Sequence, residues 1–196
     1  SVQQGYPTEG YLNPEHPVQV RMIEDAARIC EAETADFVIG TDGCTAPTWG
    51  LPLSAAARGW ARLGAHWEEF AEAGERITRA MGQNPLLVGG EGRPDTRVMQ
   101  ATGGRVVCKS GAEACVGLCV PIEGIGLALK CEDGNARGIW CVVIEILRRL
   151  KLLTDSELDE LADLHRKPLR NCNQLVVGHI EPVISQEPPE SEWVLD

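Results

Sequence analysis

Three runs, Arg105-Val106-Val107-Cys108-Lys109, Ala114-Cys115-Val116-Gly117-Leu118-Cys119-Val120 and Gly126-Leu127-Ala128-Leu129-Lys130, follow one another with only short glycine-containing connections between them. Their β-branched and apolar content, broken by turn-forming glycines, predicts three strands joined by tight turns, an antiparallel meander. Outward from this segment the period changes to that of helices on both sides. Toward the C-terminus, Ile139, Val142, Val143, Ile146, Leu147 and Leu150 recur at helical spacing, so a long helix over 134–151 is expected to cover the meander. Thr154-Asp155-Ser156-Glu157 is a capping box that opens a further helix through about Leu164.

Toward the N-terminus, Asn13-Pro14 supplies a side-chain cap and a first-turn proline, and Val18, Ile23, Ala26, Ala27 and Cys30 continue as one face of a helix of about 17 residues. Phe37-Val38-Ile39 reads as a short buried strand. It runs into residues 40–52, a stretch too long and polar for a plain turn and therefore a candidate functional loop. Helices are expected over 53–63, about 65–81 and 94–99. Helices, then strands, then helices describe an α+β protein, an antiparallel β-meander packed against helices plus a helical lobe. Residues 1–185 read as one domain. Residues 186–196, acidic and proline-rich, read as a mobile tail.

Against 18 Lys and Arg stand 29 Asp and Glu, a net charge of −11 in 196 residues, which argues against nucleic acid as a partner. No apolar run reaches the roughly 18 residues of a membrane span, and no signal segment opens the chain. Eight cysteines without a CxxC pair or a secretory signal read as a reduced, cytoplasmic chain whose thiols are mostly buried hydrophobes. Cys115 and Cys119, about 13 Å apart along a strand, are too distant to share one metal ion.

Lys109-Ser110-Gly111, at the end of the first meander strand, is a close variant of the Lys-Thr-Gly strand motif of serine β-lactamases and penicillin-binding proteins. An exposed strand-end lysine beside a turn serine would give the same tripeptide. The motif's usual partner, Ser-x-x-Lys, is absent: Val106, Leu127, Arg148 and Leu164 stand three residues before the four lysines. No Gly-x-Ser-x-Gly elbow occurs, and none of His16, His66, His165 or His179 falls in a triad or metal signature; His16 reads as a capping or surface residue. Lys130-Cys131-Glu132-Asp133-Gly134-Asn135 gathers a cation, two carboxylates and an amide at a strand-to-helix junction. Asp133 and Asn135 could equally cap the helix that follows. Asp42 and Cys44 share the Thr41–Cys44 loop segment and could supply part of a zinc site, which needs three or four protein ligands.

Several segments, in order and at matching spacing, resemble the L-asparaginase II family, the thermolabile asparaginases related in fold to serine β-lactamases and glutaminases. These are 6–19, Asp42-Gly43-Cys44 with Pro47-Thr48 and Leu51-Pro52-Leu53, Gly90-Glu91-Gly92-Arg93, Lys109-Ser110-Gly111-Ala112-Glu113, and Leu129 to Ala136. The resemblance runs from about residue 5 to about residue 178 and implies an amidohydrolase that converts L-asparagine to L-aspartate and ammonia through a lysine-activated serine and an acyl-enzyme. It implies Lys109 as the second active-site lysine, with Ser110, Gly111, Arg93, Glu132, Asp133 and Asn135 around the substrate. It further implies Cys44 and Asp42 as part of a zinc site, and no organic cofactor. Asp95 falls where some members of the family carry a cysteine near the substrate.

Members of the family are longer, and the resemblance identifies this chain with their C-terminal half; the Ser-x-x-Lys helix, a second serine and a further zinc thiolate belong to the other half. The expected nucleophile therefore lies outside this chain. Three arrangements follow: a chain drawn from a longer protein, one half of a two-chain enzyme, or a non-catalytic pseudo-enzyme or regulatory binding module. An unpartnered half would expose apolar surface and associate with an N-terminal half or with its own copies.

Overall fold

The structure is a computed structural model that describes residues 1–185; the tail expected at 186–196 lies outside the described residues. The described chain folds as two compact units, one of residues 1–80 with 117–128, the other of residues 81–116 with 129–185. The fold is α+β, with antiparallel sheets of two and three strands.

In the first unit, helix α1 spans Pro17–Cys30. It begins three residues later than the Asn13-Pro14 signal predicts, because a helix opened at Pro14 would place Pro17 where a backbone N–H must donate to residue 13. His16 takes the capping role instead, its Nδ1 accepting from Val18 N at 3.2 Å, while Asn13 Oδ1 accepts from Glu15 N in a preceding turn. Ile23 and Ala27 of α1 pack with Phe37, which meets Trp49 edge-on with ring centroids 6.1 Å apart. Phe37 is buried, but the strand after it is not: β1, Val38–Thr41, is exposed along its length and pairs with β2, Pro47–Gly50, from Val38 opposite Gly50 to Thr41 opposite Pro47. The expected buried strand and long loop are thus one β-hairpin.

Helix α2, Leu53–Gly64, matches its predicted span. Arg58 and Arg62 lie on it and bind the end of α1: Arg58 donates to the carbonyls of Cys30 and Glu31, and Arg62 Nη2 meets Glu31 Oε1 at 3.0 Å. On its other flank α2 lies so close to the neighbouring hairpin strands that a Cβ at Gly117 would enter the Trp60 indole, and one at Gly126 would strike the backbone of Ala57 and Ala61. Only glycine permits that approach. Residues 65–70 break away from helical geometry, with His66 and Glu68 at φ 53° and 44°, so α3 spans Ala71–Gln83 rather than starting at 65.

In the second unit, α4 (Pro85–Gly89) and α5 (Pro94–Ala101) are stitched together by Thr96 Oγ1, which donates to Gly90 O at 2.7 Å and Pro85 O at 3.1 Å. The meander, whose residues 117–128 belong to the first unit, follows as predicted: β3 (Val107–Gly111), β4 (Cys115–Val120) and β5 (Ile125–Lys130), in that order across one sheet. Val98 and Met99 of α5 and Val107 and Cys108 of β3 are buried. Helix α6 spans Ile139–Arg149, shorter than expected. After it, α7 (Asp155–Glu160) opens at the predicted capping box, with Thr154 Oγ1 accepting from Glu157 N and Glu157 from Thr154 N. A short α8 (Ala162–His165) leads to a hairpin unseen in the sequence, β6 (Lys167–Arg170) with β7 (Val176–Ile180). Glu145 of α6 is buried and collects Arg148, Arg149 and His165, contacts that hold its carboxyl well below the usual range despite burial and tie α6 to α8.

All eight cysteines are free thiols, and half rather than most are buried: Cys30, Cys108, Cys119 and Cys141. Burial pushes the Cys119 thiol up to about 12. Among the described residues, no helix is long and apolar enough to cross a membrane.

Candidate functional site

Val107 and Cys108 point to opposite faces of β3 and both are buried, whereas at the strand end Lys109 is exposed and Ser110 is half-buried. The first turn of α5 supplies what this strand end needs. Pro94 occupies the first helical position, and Asp95 next to it is 1% exposed. Asp95 Oδ2 accepts from Ser110 Oγ at 2.7 Å and from Ser110 N at 3.2 Å, and lies 3.8 Å from Lys109 Nζ. Burial pushes this carboxyl up, but the Ser110 hydroxyl and amide and the Lys109 ammonium outweigh it and hold it below the usual carboxylate range. Its other oxygen, Oδ1, is buried without a hydrogen-bond partner among the described residues. It faces the backbone of Gly89, where a Cβ would stand 2.9 Å from it. Lys109 Nζ also donates to the Ser110 carbonyl. The result is a carboxylate, a hydroxyl and an ammonium fixed at one strand end.

Beside it opens a cavity of about 350 Å³ within the second unit. Ser110, Gly111 and Arg93 line it, together with Arg137, Trp140 and Lys167. Three of the expected substrate residues are therefore brought together, while Lys109 stands next to the cavity's Ser110 but is not itself a wall residue. Glu132, Asp133 and Asn135 are not wall residues either. They occupy the loop after β5, where Asp133 Oδ1 accepts from Asn135 N at 2.9 Å and from Cys131 Sγ at 3.2 Å, and Asn135 Oδ1 accepts from Arg137 N at 3.0 Å. The N–H groups of Asn135 and Arg137 and the Cys131 thiol are the donors, and the Asn135 amide comes first among the influences that hold Asp133 low. Because α6 begins only at Ile139, these side chains brace the loop that carries Arg137 instead of capping the helix. Lys130 Nζ pins the same loop through the carbonyls of Glu113 and Cys131.

Asp42 and Cys44 lie in the β1–β2 turn of the first unit, where Asp42 Oδ1 accepts from Cys44 N at 2.8 Å. Hydrogen bonding from Cys44 lowers the Asp42 carboxyl. Among the described residues no third histidine, cysteine, aspartate or glutamate joins them to make a metal-holding group. Two donors do not by themselves fit a closed zinc site.

Reading by motif passed over Arg137, Trp140 and Lys167 and gave Asp95 no role of its own. The available signal for Asp95 is a carboxylate three and four positions before the core residues Val98 and Met99, hence on their face of the helix, in a turn opened by proline. No curated protein matches the chain. The family model for L-asparaginase II matches residues 1–182, and the chain belongs to that family.

Proposed function

We propose that this chain forms the lysine-bearing part of an amidohydrolase site that converts L-asparagine to L-aspartate and ammonia. The observation that carries the reading is the Asp95–Ser110–Lys109 constellation, held at the strand end beside a cavity that Ser110 and Gly111 line. In this reading a serine hydroxyl outside the chain attacks the side-chain carboxamide carbon, ammonia leaves with the nitrogen, and water hydrolyses the resulting ester. Lys109 is the cation that polarises the nucleophile or assists its proton transfer. Arg93, Ser110 and Gly111 bind substrate, and Glu132, Asp133 and Asn135 shape the loop at its edge. Zinc enters only as a partial site at Asp42 and Cys44, and no step is routed through it. Eight free thiols suit the reducing cytoplasm.

Ammonia release tests the reading. Residues 1–196 alone are expected to release none from L-asparagine, and joining them to the segment that carries the serine is expected to restore release. Failure of the joined protein to turn over either L-asparagine or L-glutamine would end the assignment. A second reading, a non-catalytic binding module, draws support from the position of Lys109 outside the cavity wall; it predicts ligand binding without ammonia in both forms.

A further inference from the structure

The cavity of the second unit carries a charge opposite to that of the protein. The chain as a whole has net charge −11, yet Arg93, Arg137 and Lys167 all line this one cavity. Among the described residues its one lining carboxylate, Asp163, is neutralised by Arg97, which donates to both of its oxygens at 2.6 and 2.9 Å and holds its carboxyl below the usual range. Arg93 and Lys167 have no hydrogen-bonded or ion-paired side-chain partner among the described residues, and Arg137 has only the attraction of Asp133. Behind the cations Trp140 gives the cavity an apolar wall, 8% exposed. A volume of about 350 Å³ holds an amino-acid-sized ligand together with water.

We infer that this cavity is a site for small dicarboxylates, and that it holds the deamidated acid in preference to the amide. The argument is one of charge. A dicarboxylate offers two anionic ends to three cations on a short apolar frame, and guanidinium groups engage carboxylates through two parallel N–H···O bonds. L-Asparagine carries one carboxylate and one ammonium with no net charge, so it gains one such contact and meets repulsion at its amine. L-Aspartate gains the second carboxylate at the position where the amide stood. The naming of asparagine and aspartate rests on the proposed function, for which the consequence is product retention. The preference for dicarboxylates stands on the cavity alone.

Calorimetric titration of the 196-residue chain with succinate, L-aspartate, L-asparagine and succinamide tests it. Succinate and L-aspartate are expected to bind about tenfold or more tightly than L-asparagine, succinamide to bind weakest, and added salt to weaken the acids but not the diamide. Arg137→Gln and Lys167→Gln are each expected to weaken succinate about fivefold, whereas Arg137→Lys restores most of the loss and Lys151→Gln, outside the cavity, changes nothing. Equal binding of asparagine and aspartate, or succinate affinity unchanged in both glutamine variants, would overturn the inference. No hydrolysis enters this measurement. Dicarboxylate binding by the 196-residue chain, with no ammonia release once it is joined to the serine-bearing segment, would leave the inference standing and the proposed function lost; ammonia release by the joined protein without dicarboxylate binding would do the reverse.

Discussion

The two units hold themselves together by different means. In the first, glycines at 117 and 126 let α2 settle against strand backbone and Gly59 leaves room for the Cys30 thiol, while the polar ties of Arg58 and Arg62 run to backbone carbonyls and the exposed Glu31 at the end of α1. In the second, contact is made by polar ties: Thr96 stitches α4 to α5, Asp95 ties α5 to β3, and Glu145 gathers two arginines and a histidine. The difference bears on function. Close glycine approaches and arginine ties occur in both units, but the second buries a carboxylate against a hydroxyl and an ammonium, the kind of groups an active site uses. The expected cation and substrate residues all belong to the second unit, and only the Asp42–Cys44 pair belongs to the first.

The sharpest way to break this comparison is to fill one glycine. Gly126→Ala sets a methyl group into the backbone of α2, with no flexible side chain able to yield, and is expected to destabilise by about 3 kcal/mol. Urea unfolding followed by far-UV circular dichroism measures it. A loss below about 1 kcal/mol would show that the close approach is not what holds the first unit.

Next in size is Asp95→Ala, which leaves the Ser110 hydroxyl and amide without their acceptor and is expected to cost about 2 kcal/mol, with Asp95→Asn costing less. The pH dependence follows from the direction of the shift. Because the Asp95 carboxyl is held below its unfolded value of about 3.9, its contribution is fully present above that pH and is lost as pH falls through the lower folded value. Unfolding curves from neutral pH down to about 2 should therefore show a steeper acid loss for the natural protein than for Asp95→Asn. Equal slopes would remove Asp95 from the account. Smallest is Cys44→Ala, in an exposed turn, expected to change stability by less than about 0.5 kcal/mol. Its informative readout is zinc content by metal analysis: reduced retention supports the partial site at Asp42 and Cys44, and unchanged content removes Cys44 from it.

What was legible in the sequence is what local chemistry dictates. The Thr154–Glu157 capping box, the three meander strands and the span of α2 depend on residues adjacent in the chain, and the structure has them where they were read. Competition between neighbouring signals obscured the start of α1, where Pro14 and Pro17 both offer a first-turn proline and only the second allows the helix to continue. In the β1–β2 hairpin, Phe37-Val38-Ile39 reads as a buried strand although only Phe37 is buried, and residues 40–52 read as a polar loop because β2 is short and lacks an apolar alternation. The β6–β7 hairpin was missed for a related reason: Lys167-Pro168-Leu169-Arg170 is short, charged and interrupted by proline, and its turn is fixed by Asn171 Oδ1 accepting from Asn173 N and Leu175 N. The candidate site was legible only in part. Arg93, Ser110 and Gly111 stand in motifs, but Arg137 and Lys167 reach the cavity from a loop and a strand far along the chain, and Asp95 owes its place to burial against Ser110. Tertiary packing made those associations.

The central claim is that Lys109 serves the reaction as a cation held at the edge of β3. Its side chain is 48% exposed, so Lys109→Ala should leave stability within about 0.5 kcal/mol of the natural protein. The measurement that reaches the claim is the rate of ammonia release from L-asparagine by residues 1–196 joined to the serine-bearing segment, with and without that substitution. The account predicts a fall of at least about a hundredfold in the folded variant; a rate equal to that of the natural protein would contradict it.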